Sequence, residues 1–367
     1  MNRAYRFRIK PNKNQRIMLG KTFGCCRFLY NHMLSDRKLA DIEGRSERPR
    51  PAMYKKEYPW LKEVDSLALC NLQLHLETAY KNHKERKDAG YPRFKRKHDS
   101  RCSYTTNVVN GNIRLEENGK KIRLPKVGSV RIKVHRDIPE EGKLKSVTVV
   151  REASGKYYAS LLYEMPEREN QTKGDKADEK VLGIDFAMRG LAVFSDGSRA
   201  DYPGYYRETE KRLAREQRKL SRCEKGSRNY VKQKKRVAVL HEKVRNQRKD
   251  FLHKLSRSLA DEYDAVGVED IDMRAMSRSL HFGKSVMDNG YGMFRTMLGY
   301  KLEEQGKILV KADRFFPSSK KCSVCGKIKE DLALSERKYR CSCGNEMDRD
   351  VNAAINLRAE ARKRISA

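Results

Sequence analysis

Three acidic residues stand where carboxylates can bind metal ions. Asp185 ends the apolar run VLGID, Glu269 follows the apolar run DAVGV, and Asp350 precedes the helical run VNAAINL. Strand ends carry the functional groups of open α/β sheets, and a helix N-terminus favours a carboxylate. Carboxylates gathered in this way can hold two divalent ions that clamp the attacking and leaving oxygens of a phosphodiester. Each acid alone is more often a helix cap or a surface group, but the three together favour a metal site.

The spacing of the three acids matches the way in which a ribonuclease-H-type sheet gathers its metal ligands. We expect Asp185 to bridge two Mg²⁺ ions, and Glu269 and Asp350 each to complete one coordination sphere. Attack by a metal-held water would leave a 3′-hydroxyl and a 5′-phosphate. Asp348 is an alternative to Asp350, because it would face the same side if residues 348–350 were extended.

The nine cysteines divide into two groups. Five are scattered, whereas four form the pairs Cys322-Ser-Val-Cys325 and Cys341-Ser-Cys343, each followed by a glycine. Two close pairs joined by a loop are typical of tetrahedral zinc coordination, and four thiolate ligands leave no open position. The sequence predicts one structural Zn²⁺ and a reducing, cytoplasmic compartment. An unliganded, reduced cysteine cluster is the alternative.

The charge of the chain indicates a polyanionic partner. Lys and Arg outnumber Asp and Glu by 82 to 49, a formal net charge of +33, and residues 207–257 alone hold 19 basic against 6 acidic side chains. Such an excess favours long polyanions that are bound through phosphate contacts. The sequence has no apolar run of about 18 residues and no lipidation motif, which argues against a membrane partner. Nucleic acid is therefore the predicted partner.

Two segments interleave aromatic and basic residues, which is typical of proteins that stack on bases and contact phosphates. They read YPRFKRK and RFFPSSK. The predicted nucleic-acid contacts are Arg93, Phe94, Lys95, Arg96, Lys97, Arg314 and Lys320. The alternative, that the aromatic rings belong to the core, stays open.

The elements that must position these residues fall into blocks. Alternation of apolar residues predicts a strand at residues 1–10, and short β-branched runs predict further strands at 101–170, enough to close a small barrel. Residues 11–100 have helical spacing, and residues 171–180 form a polar linker. Strands then alternate with helices at 181–316 and 346–367, interrupted by the cysteine segment at 317–345. The predicted fold is a multidomain one with an α+β part and an α/β part.

The segment after Glu269 is rich in Ser, Gly and Asn and ends in DNGYG. We expect the residues from Ser277 to Gly290, with Gly283 between them, to act as a lid that gates the metal site once a heteroduplex is bound.

Taken together, these motifs resemble the TnpB family of RNA-guided endonucleases, which insertion sequences encode. The resemblance runs through YPRFKRK, IRLPKVG, SGKYYAS, GIDFAMRGLAVFSDG and GVEDID, and continues through DNGYGMFRTML, FFPSSKKCSVCG, CSCG and DRDVNAAINL. It covers the whole chain, and the last four motifs, in this order, are highly specific. Phe186-Ala187 follows Asp185 where many members have glycine two positions after the acid, a local departure.

The resemblance implies a wedge β-barrel (1–10 and 101–170) with a helical recognition insert (11–100). An RNase H-like RuvC nuclease domain (181–316 and 346–367) would follow, with an inserted zinc-binding module (317–345). Asp185, Glu269 and Asp350 correspond to the acidic triad of the family, and the four clustered cysteines correspond to its zinc ligands. The implied activity is Mg²⁺-dependent cleavage of double-stranded DNA that matches a guide RNA and adjoins a short motif. The implied form is a monomer on one RNA, in the prokaryotic cytoplasm and associated with the nucleoid.

Other functions remain open at this point. A compact type V CRISPR effector would have the same chemistry with a guide from a repeat array. An RNA-guided repressor would bind without cutting, although all three acids are present here. A transposase that joins strands itself would act without guide RNA.

Overall fold

The structure is a computed structural model that describes residues 2–45, 48–86, 88–97, 102–166, 180–187, 190–272, 288–333 and 336–366. The chain divides into two compact units, Met1–Arg168 and Glu169–Ala367. No helix in these described ranges is long and apolar enough to cross a membrane. The predicted multidomain fold of mixed α and β structure is confirmed.

The first unit is built on one antiparallel sheet of seven strands. The strands are β1 (Asn2–Lys10), β2 (Cys102–Asn107), β3 (Arg114–Glu116), β4 (Lys121–Leu124), β5 (Gly128–Lys133), β6 (Lys143–Arg151) and β7 (Tyr157–Glu164). They pair in the order β2-β6-β7-β1-β5-β4-β3. Tyr5, Phe7 and Ile9 of β1 are all buried, which confirms the predicted alternation.

The closed barrel predicted from the sequence is an open half-barrel in the described pairing. No pair joins β2 to β3 among the described strands, and β3 has only three residues with which to bridge such a gap. Helices pack against the sheet instead. They are α1 (Lys13–Ile42), α2 (Pro51–Glu57), a 3₁₀ helix (Pro59–Glu63) and α3 (Ser66–Glu85). Apolar side chains of α1 and α3 share one core with the sheet.

Local sequence explains where these helices begin. Pro11 ends β1, and Asn12 forms a capping box with Gln15, in which each side chain accepts a hydrogen bond from the other residue's backbone N–H. Asp65 caps α3 in the same manner, because its carboxylate accepts from the N–H of Leu67 at 3.0 Å. Such caps satisfy backbone donors that a helix start would otherwise leave unpaired.

The second unit carries a five-stranded mixed sheet. Its strands are β8 (Val181–Asp185), β9 (Ala192–Phe194), β10 (Arg199–Ala200), β11 (Ala265–Val268) and β12 (Ile308–Lys311), in the order β10-β9-β8-β11-β12. The three segments β8, β9 and β10 form an antiparallel meander, whereas β8, β11 and β12 are parallel. The helices are α4 (Tyr205–Ser221), α5 (Arg228–Glu262), α6 (Tyr291–Glu303) and α7 (Arg349–Ser366). A small hairpin, β13 (Lys338–Arg340) and β14 (Glu346–Asp348), precedes α7.

Two glycines let α7 lie directly on this sheet. A Cβ atom at Gly183 would lie 1.8 Å from the carbonyl oxygen of Ala354, and one at Gly267 would lie 2.4 Å from that of Leu357. Both distances are far below van der Waals contact, so only glycine allows the approach. The helix is therefore fixed on the sheet at the two strands that end next to Asp185 and Glu269.

Candidate metal centres

Asp185 and Glu269 are neighbours across two parallel strands. Ile184 of β8 is paired with Val268 of β11, and each acid follows its strand partner by one residue. Adjacent strands lie about 4.8 Å apart, and residues in the same register point to the same face. That face also carries Gly183 and Gly267, two residues earlier in each strand, so both acids point to the side that α7 covers.

Asp350 joins the two acids from the helix. It lies in the first turn of α7, and Ala354, four residues on, is the residue that rests on Gly183. Residues four apart share one helix face, so Asp350 points toward the same sheet edge. The glycine contact thus sets the position of the third carboxylate relative to the other two.

The electrostatics show that the three carboxylates share one environment. Burial raises the pKa of Asp185 well above its usual range, and the charges of Glu269 and Asp350 raise it further. Burial also raises the pKa of Glu269, a hydrogen bond from Ser318 opposes that rise, and Asp350 adds to it. Buried carboxylates that repel each other are stabilised by a bound cation. The donor set is all oxygen, which suits Mg²⁺.

The three carboxylates do not form one tight cluster. In the part of the chain that the structure describes, only the four cysteines form a group whose ligand atoms all lie within 4.8 Å of one another. Two ions about 3.5–4 Å apart spread their ligands over two coordination spheres. The ligand oxygens of the three acids are spread more widely than the four sulfurs.

Asp348, the alternative to Asp350, has structural contacts of its own. Its Oδ1 accepts hydrogen bonds from the N–H groups of Asp350 at 2.9 Å and Val351 at 3.1 Å, which makes it the N-terminal cap of α7. Its Oδ2 accepts from Arg199 at 2.9 Å. Both of its oxygens are engaged, although its charge also raises the pKa of Asp185.

The four clustered cysteines form a zinc-sized site. The Sγ atoms of Cys322 and Cys343 are 3.7 Å apart, and those of Cys325 and Cys341 are 3.5 Å apart. Zn–S bonds of about 2.3 Å in a tetrahedron place sulfurs about 3.8 Å apart. Two matching turns hold the pairs, since Gly326 donates to the carbonyl of Cys322 and Gly344 to that of Cys341, each at 3.0 Å and with positive φ. The four residues therefore fit zinc.

The turn around Cys322 also favours the thiolate form. Burial acts to raise the pKa of Cys322, but the N–H groups of Cys325 and Val324 and the side-chain amide of Asn345 outweigh it and lower the pKa to about 6. Asn345 Nδ2 lies 3.5 Å from the sulfur. A thiol that ionises near neutral pH is prepared for metal binding, because zinc binds the thiolate.

Sequence reasoning missed a set of polar residues that joins the two sites. Ser318 donates a hydrogen bond to Glu269, and it is buried. Asn352 and Asn356 of α7 are also buried, and their amides hold the backbone of residues 318–323. The available signal was the pair of asparagines four residues apart in an Ala- and Leu-rich helix face. No local signal identified Ser318.

The predicted nucleic-acid contacts have varied surroundings. Lys95 is held by Asn31, which hydrogen-bonds both its N–H and its carbonyl, and its ammonium lies 4.0 Å from the ring centre of Tyr30. Phe94 is half exposed beneath Lys38. Arg93, Arg96, Lys97, Arg314 and Lys320 are exposed. Phe315, an aromatic residue of the predicted stacking segment RFFPSSK, has 91% of its surface exposed. Ser277 and Gly283 lie outside the described residues, and Gly290 caps α6 with φ of +71°.

The exposed face of the first unit's sheet carries like charges in register. Four cross-strand pairs are basic on both sides: Arg8 with Lys133, Lys10 with Arg131, Lys121 with Arg131, and Arg114 with Arg123. Like charges directly opposite each other destabilise a sheet. Glu116 and Glu117 offset the last two pairs. Lys10, Arg131 and Lys133 border a cleft of about 770 Å³ that also contains Lys120 and Lys121, with Glu117 and Asp137 as its acidic members. This arrangement favours a bound polyanion.

The second unit has a basic groove of its own. Arg212 of α4 and Lys232, Lys235 and Arg236 of α5 line a cavity of about 460 Å³, with Glu216 as its acidic member. The apolar side of the two helices is closed by Leu213, Val237 and Leu240. These apolar side chains therefore pack α4 against α5, and the basic residues remain at the surface.

Fold and sites together define a two-unit protein whose second unit carries three interacting carboxylates and a four-cysteine site. Comparison with known proteins gives the family. Residues 160–280 match a family described as a probable transposase, residues 291–357 a domain described as Cas12f1-like TNB, and residues 1–40 a helix-turn-helix domain, although a strand and one unbroken helix occupy most of that stretch here. The chain belongs to the TnpB transposase family.

Full-length relatives support this membership. A putative RNA-guided DNA endonuclease of Streptomyces pristinaespiralis is 34% identical over 98% of this chain and 89% of its own length. The putative RNA-guided DNA endonuclease InsQ of Escherichia coli K12 is 30% identical over 97% and 91%. A cryo-EM structure of a Cas12f1–sgRNA–target DNA complex aligns with a TM-score of 0.57 at 16% identity, covering 94% of this chain and 82% of that one. The structural likeness concerns the fold alone.

Proposed function

We propose that the protein is an RNA-guided DNA endonuclease whose second unit is an RNase H-like, RuvC-type nuclease. The observation that carries this proposal is the convergence of Asp185, Glu269 and Asp350 on one edge of the sheet under α7. The order of strands, an antiparallel meander followed by two parallel strands, supports the assignment. The names of the full-length relatives support the use of a guide RNA.

The acids would hold two Mg²⁺ ions, which supply charge stabilisation to the phosphate oxygens during in-line displacement. Asp185, at the end of the central strand of the sheet, would be a ligand of both ions. Glu269 would contribute an oxygen that Ser318 orients, and Asp350 would contribute one from a helix start that Asp348 caps. We assign the metal-binding role to Asp350 because both oxygens of Asp348 serve structural contacts.

The partners follow from charge. The guide RNA and the target DNA would bind to the basic residues of both units, including the in-register face of the sheet and the groove between α4 and α5. Arg93, Phe94, Lys95, Arg96, Lys97, Arg314 and Lys320 stay our proposed contacts. The half-barrel and its helices would serve as wedge and recognition insert, and residues 317–345 as the zinc module that holds one Zn²⁺ on its four cysteines.

A cleavage assay tests the proposal. The full-length protein is purified with the RNA that accompanies it and is incubated with Mg²⁺ and a DNA duplex that matches this RNA. Wild type is expected to cut only matched DNA, and RNase treatment should remove the activity. Asp185→Asn should bind the duplex and leave it uncut. Asp348→Asn serves as the matched control and should retain activity within about tenfold, since it sits outside the metal shell. Cleavage that persists in Asp185→Asn or after RNase treatment would refute the proposal.

A further inference from the structure

We propose that Ser318 and Asn352 couple the cysteine site to the acidic site, so that metal binding by the carboxylates depends on zinc bound by the cysteines. This coupling rests on the proposed function only for the identity of the catalytic ions. It concerns two positioning residues, since neither is a proposed ligand. Three contacts carry it, and they run from the cysteine turn to the carboxylates within one short segment.

The first contact ties the cysteine turn to α7. The N–H of Ser323, inside the Cys322–Cys325 turn, donates to Asn352 Oδ1 at 3.0 Å. Asn352 Nδ2 donates to the carbonyl of Lys321 at 2.7 Å. Asn352 is fully buried and lies two residues after Asp350, so the position of the turn and the position of that carboxylate are fixed to the same helical turn.

The second contact extends the attachment along the chain. Asn356 Nδ2 donates to the carbonyls of both Lys321, at 2.7 Å, and Ser318, at 2.8 Å. Asn356 and Ser318 are each 4% exposed. Buried amides with carbonyl partners are costly to leave unpaired, so the segment from Ser318 to Ser323 and α7 hold each other in place.

The third contact reaches the acidic site itself. The hydroxyl of Ser318 donates to Oε1 of Glu269, 49 positions earlier in the chain. A hydroxyl at this place fixes the rotamer of a carboxylate that has no other hydrogen-bond donor among the described residues. Ser318 lies four positions before Cys322, whose thiolate the zinc would hold. If zinc leaves, the Cys322–Cys325 turn loses its cross-link to Cys341 and Cys343, and the segment that carries Ser318 is then held by its contacts with α7.

The coupling makes different predictions for the two residues. Ser318→Ala removes the contact with Glu269 and leaves the cysteine turn intact. Zinc retention should then be unchanged, whereas the Mn²⁺ concentration for half-saturation of the acidic site should rise about tenfold, as outer-shell substitutions do. Asn352→Ala breaks the shared anchor, so zinc should be lost to a chelator faster and Mn²⁺ affinity should fall as well. Ser318→Thr keeps the hydroxyl and should restore Mn²⁺ affinity toward wild type.

The experiment uses the full-length protein with its RNA and measures Mn²⁺ binding by electron paramagnetic resonance, zinc release with a colorimetric indicator, and DNA cleavage separately. Asn71→Ala is the matched control, because Asn71 is a buried amide with a backbone partner in the first unit. Removing zinc from wild type with a chelator should weaken Mn²⁺ binding, and adding Zn²⁺ back should restore it. Unchanged Mn²⁺ affinity in zinc-free wild type, or in both variants, would overturn the coupling. Failure of the proposed function would show separately, as wild type that binds Mn²⁺ and cuts no matched DNA.

Discussion

Gly183 and Gly267 lie opposite each other on β8 and β11, and the backbone of α7 rests on both. Each glycine comes two residues before a proposed metal ligand, Asp185 or Glu269. The pair therefore sets how close α7 approaches the sheet, and with it the distance from Asp350 to the other two acids. The sequence carries this relationship as Gly-x-Asp and Gly-x-Glu at two strand ends.

Substitution of Gly183 by alanine should displace α7. The new Cβ would meet backbone rather than a flexible side chain, 1.8 Å from Ala354, so the helix has to move. We expect a loss of about 1–3 kcal/mol in the free energy of unfolding, or more, together with loss of cleavage at Mg²⁺ concentrations that saturate wild type. Chemical denaturation and the cleavage assay measure the two effects.

The matched control is Gly24→Ala. Gly24 lies inside α1 of the first unit with no atom near its added Cβ. This change should stabilise the protein by about 0.5–1 kcal/mol, since alanine favours helix. Equal effects of the two substitutions would contradict the proposed role of Gly183.

Stability without divalent ions in the acidic site should depend on Asp185 in a defined pH range. Burial and the neighbouring carboxylates raise the pKa of Asp185 in the folded state. Protonated Asp185 therefore makes its full favourable contribution to the free energy of unfolding below the pKa of the unfolded state, about 3.9. This contribution is lost as pH rises through the pKa of the folded state. For each pH unit over which Asp185 ionises only in the unfolded state, the free energy of unfolding falls by about 1.4 kcal/mol.

Asp185→Asn removes this pH dependence. The difference in unfolding free energy between variant and wild type, measured by urea denaturation in EDTA-free, Mg²⁺-depleted buffer, should grow in favour of the variant as pH rises from about 4. Adding Mg²⁺ should stabilise wild type more than the variant. A difference that stays constant with pH would show that Asp185 is not held in a repulsive site.

The basic face of the first unit should lower the stability of the RNA-free protein and raise its affinity for RNA. Lys133 lies directly opposite Arg8, and neither forms an ion pair with a described residue. Lys133→Glu turns a repulsive pair into an attractive one, so the RNA-free protein should gain about 0.2–1 kcal/mol. RNA affinity should fall, and the salt dependence of RNA binding should become less steep by the amount expected for the loss of about one phosphate contact.

Lys62→Glu controls for net charge, since it makes the same change in the same unit at an exposed residue of the 3₁₀ helix. It should lower RNA affinity less and add no stability. Salt titrations of RNA binding and thermal unfolding check both variants. If Lys133→Glu destabilised the RNA-free protein, the like-charge pairing would not be the unfavourable feature that we infer.

The features that were best predicted from the sequence are those that depend on a short run of neighbouring residues. The strand ends at Asp185 and Glu269 and the helix start at Asp350 each depend on fewer than ten consecutive residues, and the two cysteine pairs lie within 22. The structure gathers the four sulfurs into one group and sets Asp185 and Glu269 at the ends of adjacent strands. Asp348 shows the limit of the same reasoning. An acid just before a helix is a standard cap, and its bond to the N–H of Val351 uses the oxygen that the alternative would have given to metal.

Contacts between segments that are far apart in the chain could not be predicted from the sequence. Ser318 and Glu269 are separated by 49 positions, and nothing in either segment indicates the other. The prediction of a closed barrel was wrong for the described strands for a related reason. Alternation identifies strands, but it does not show whether the first and last strands of a sheet pair. Register is likewise hidden in a single sequence, and the basic face appears only once Lys133 is placed opposite Arg8.

Phe315 should contact nucleic acid rather than support the fold. Its ring is 91% exposed between β12 and the cysteine segment, with Arg314 beside it and Ser318 three residues on. An aromatic ring left in water beside a basic residue suits stacking on an unpaired base, which contributes about 1–3 kcal/mol per base. Phe315→Ala should therefore weaken binding of single-stranded DNA by roughly 5- to 150-fold and leave thermal unfolding unchanged, because the ring buries little surface.

Ile328→Ala is the control for Phe315→Ala. Ile328 is also a large apolar residue with 58% exposure, it lies in the cysteine segment that follows Phe315, and it has no ring to stack. Its truncation should change single-strand affinity little. Phe315→Leu separates shape from stacking, since it keeps an apolar side chain and should bind as weakly as Phe315→Ala. Retained affinity in both Phe315 variants would show that the exposed ring makes no stacking contact, and a drop in unfolding temperature would show instead that it packs within the fold.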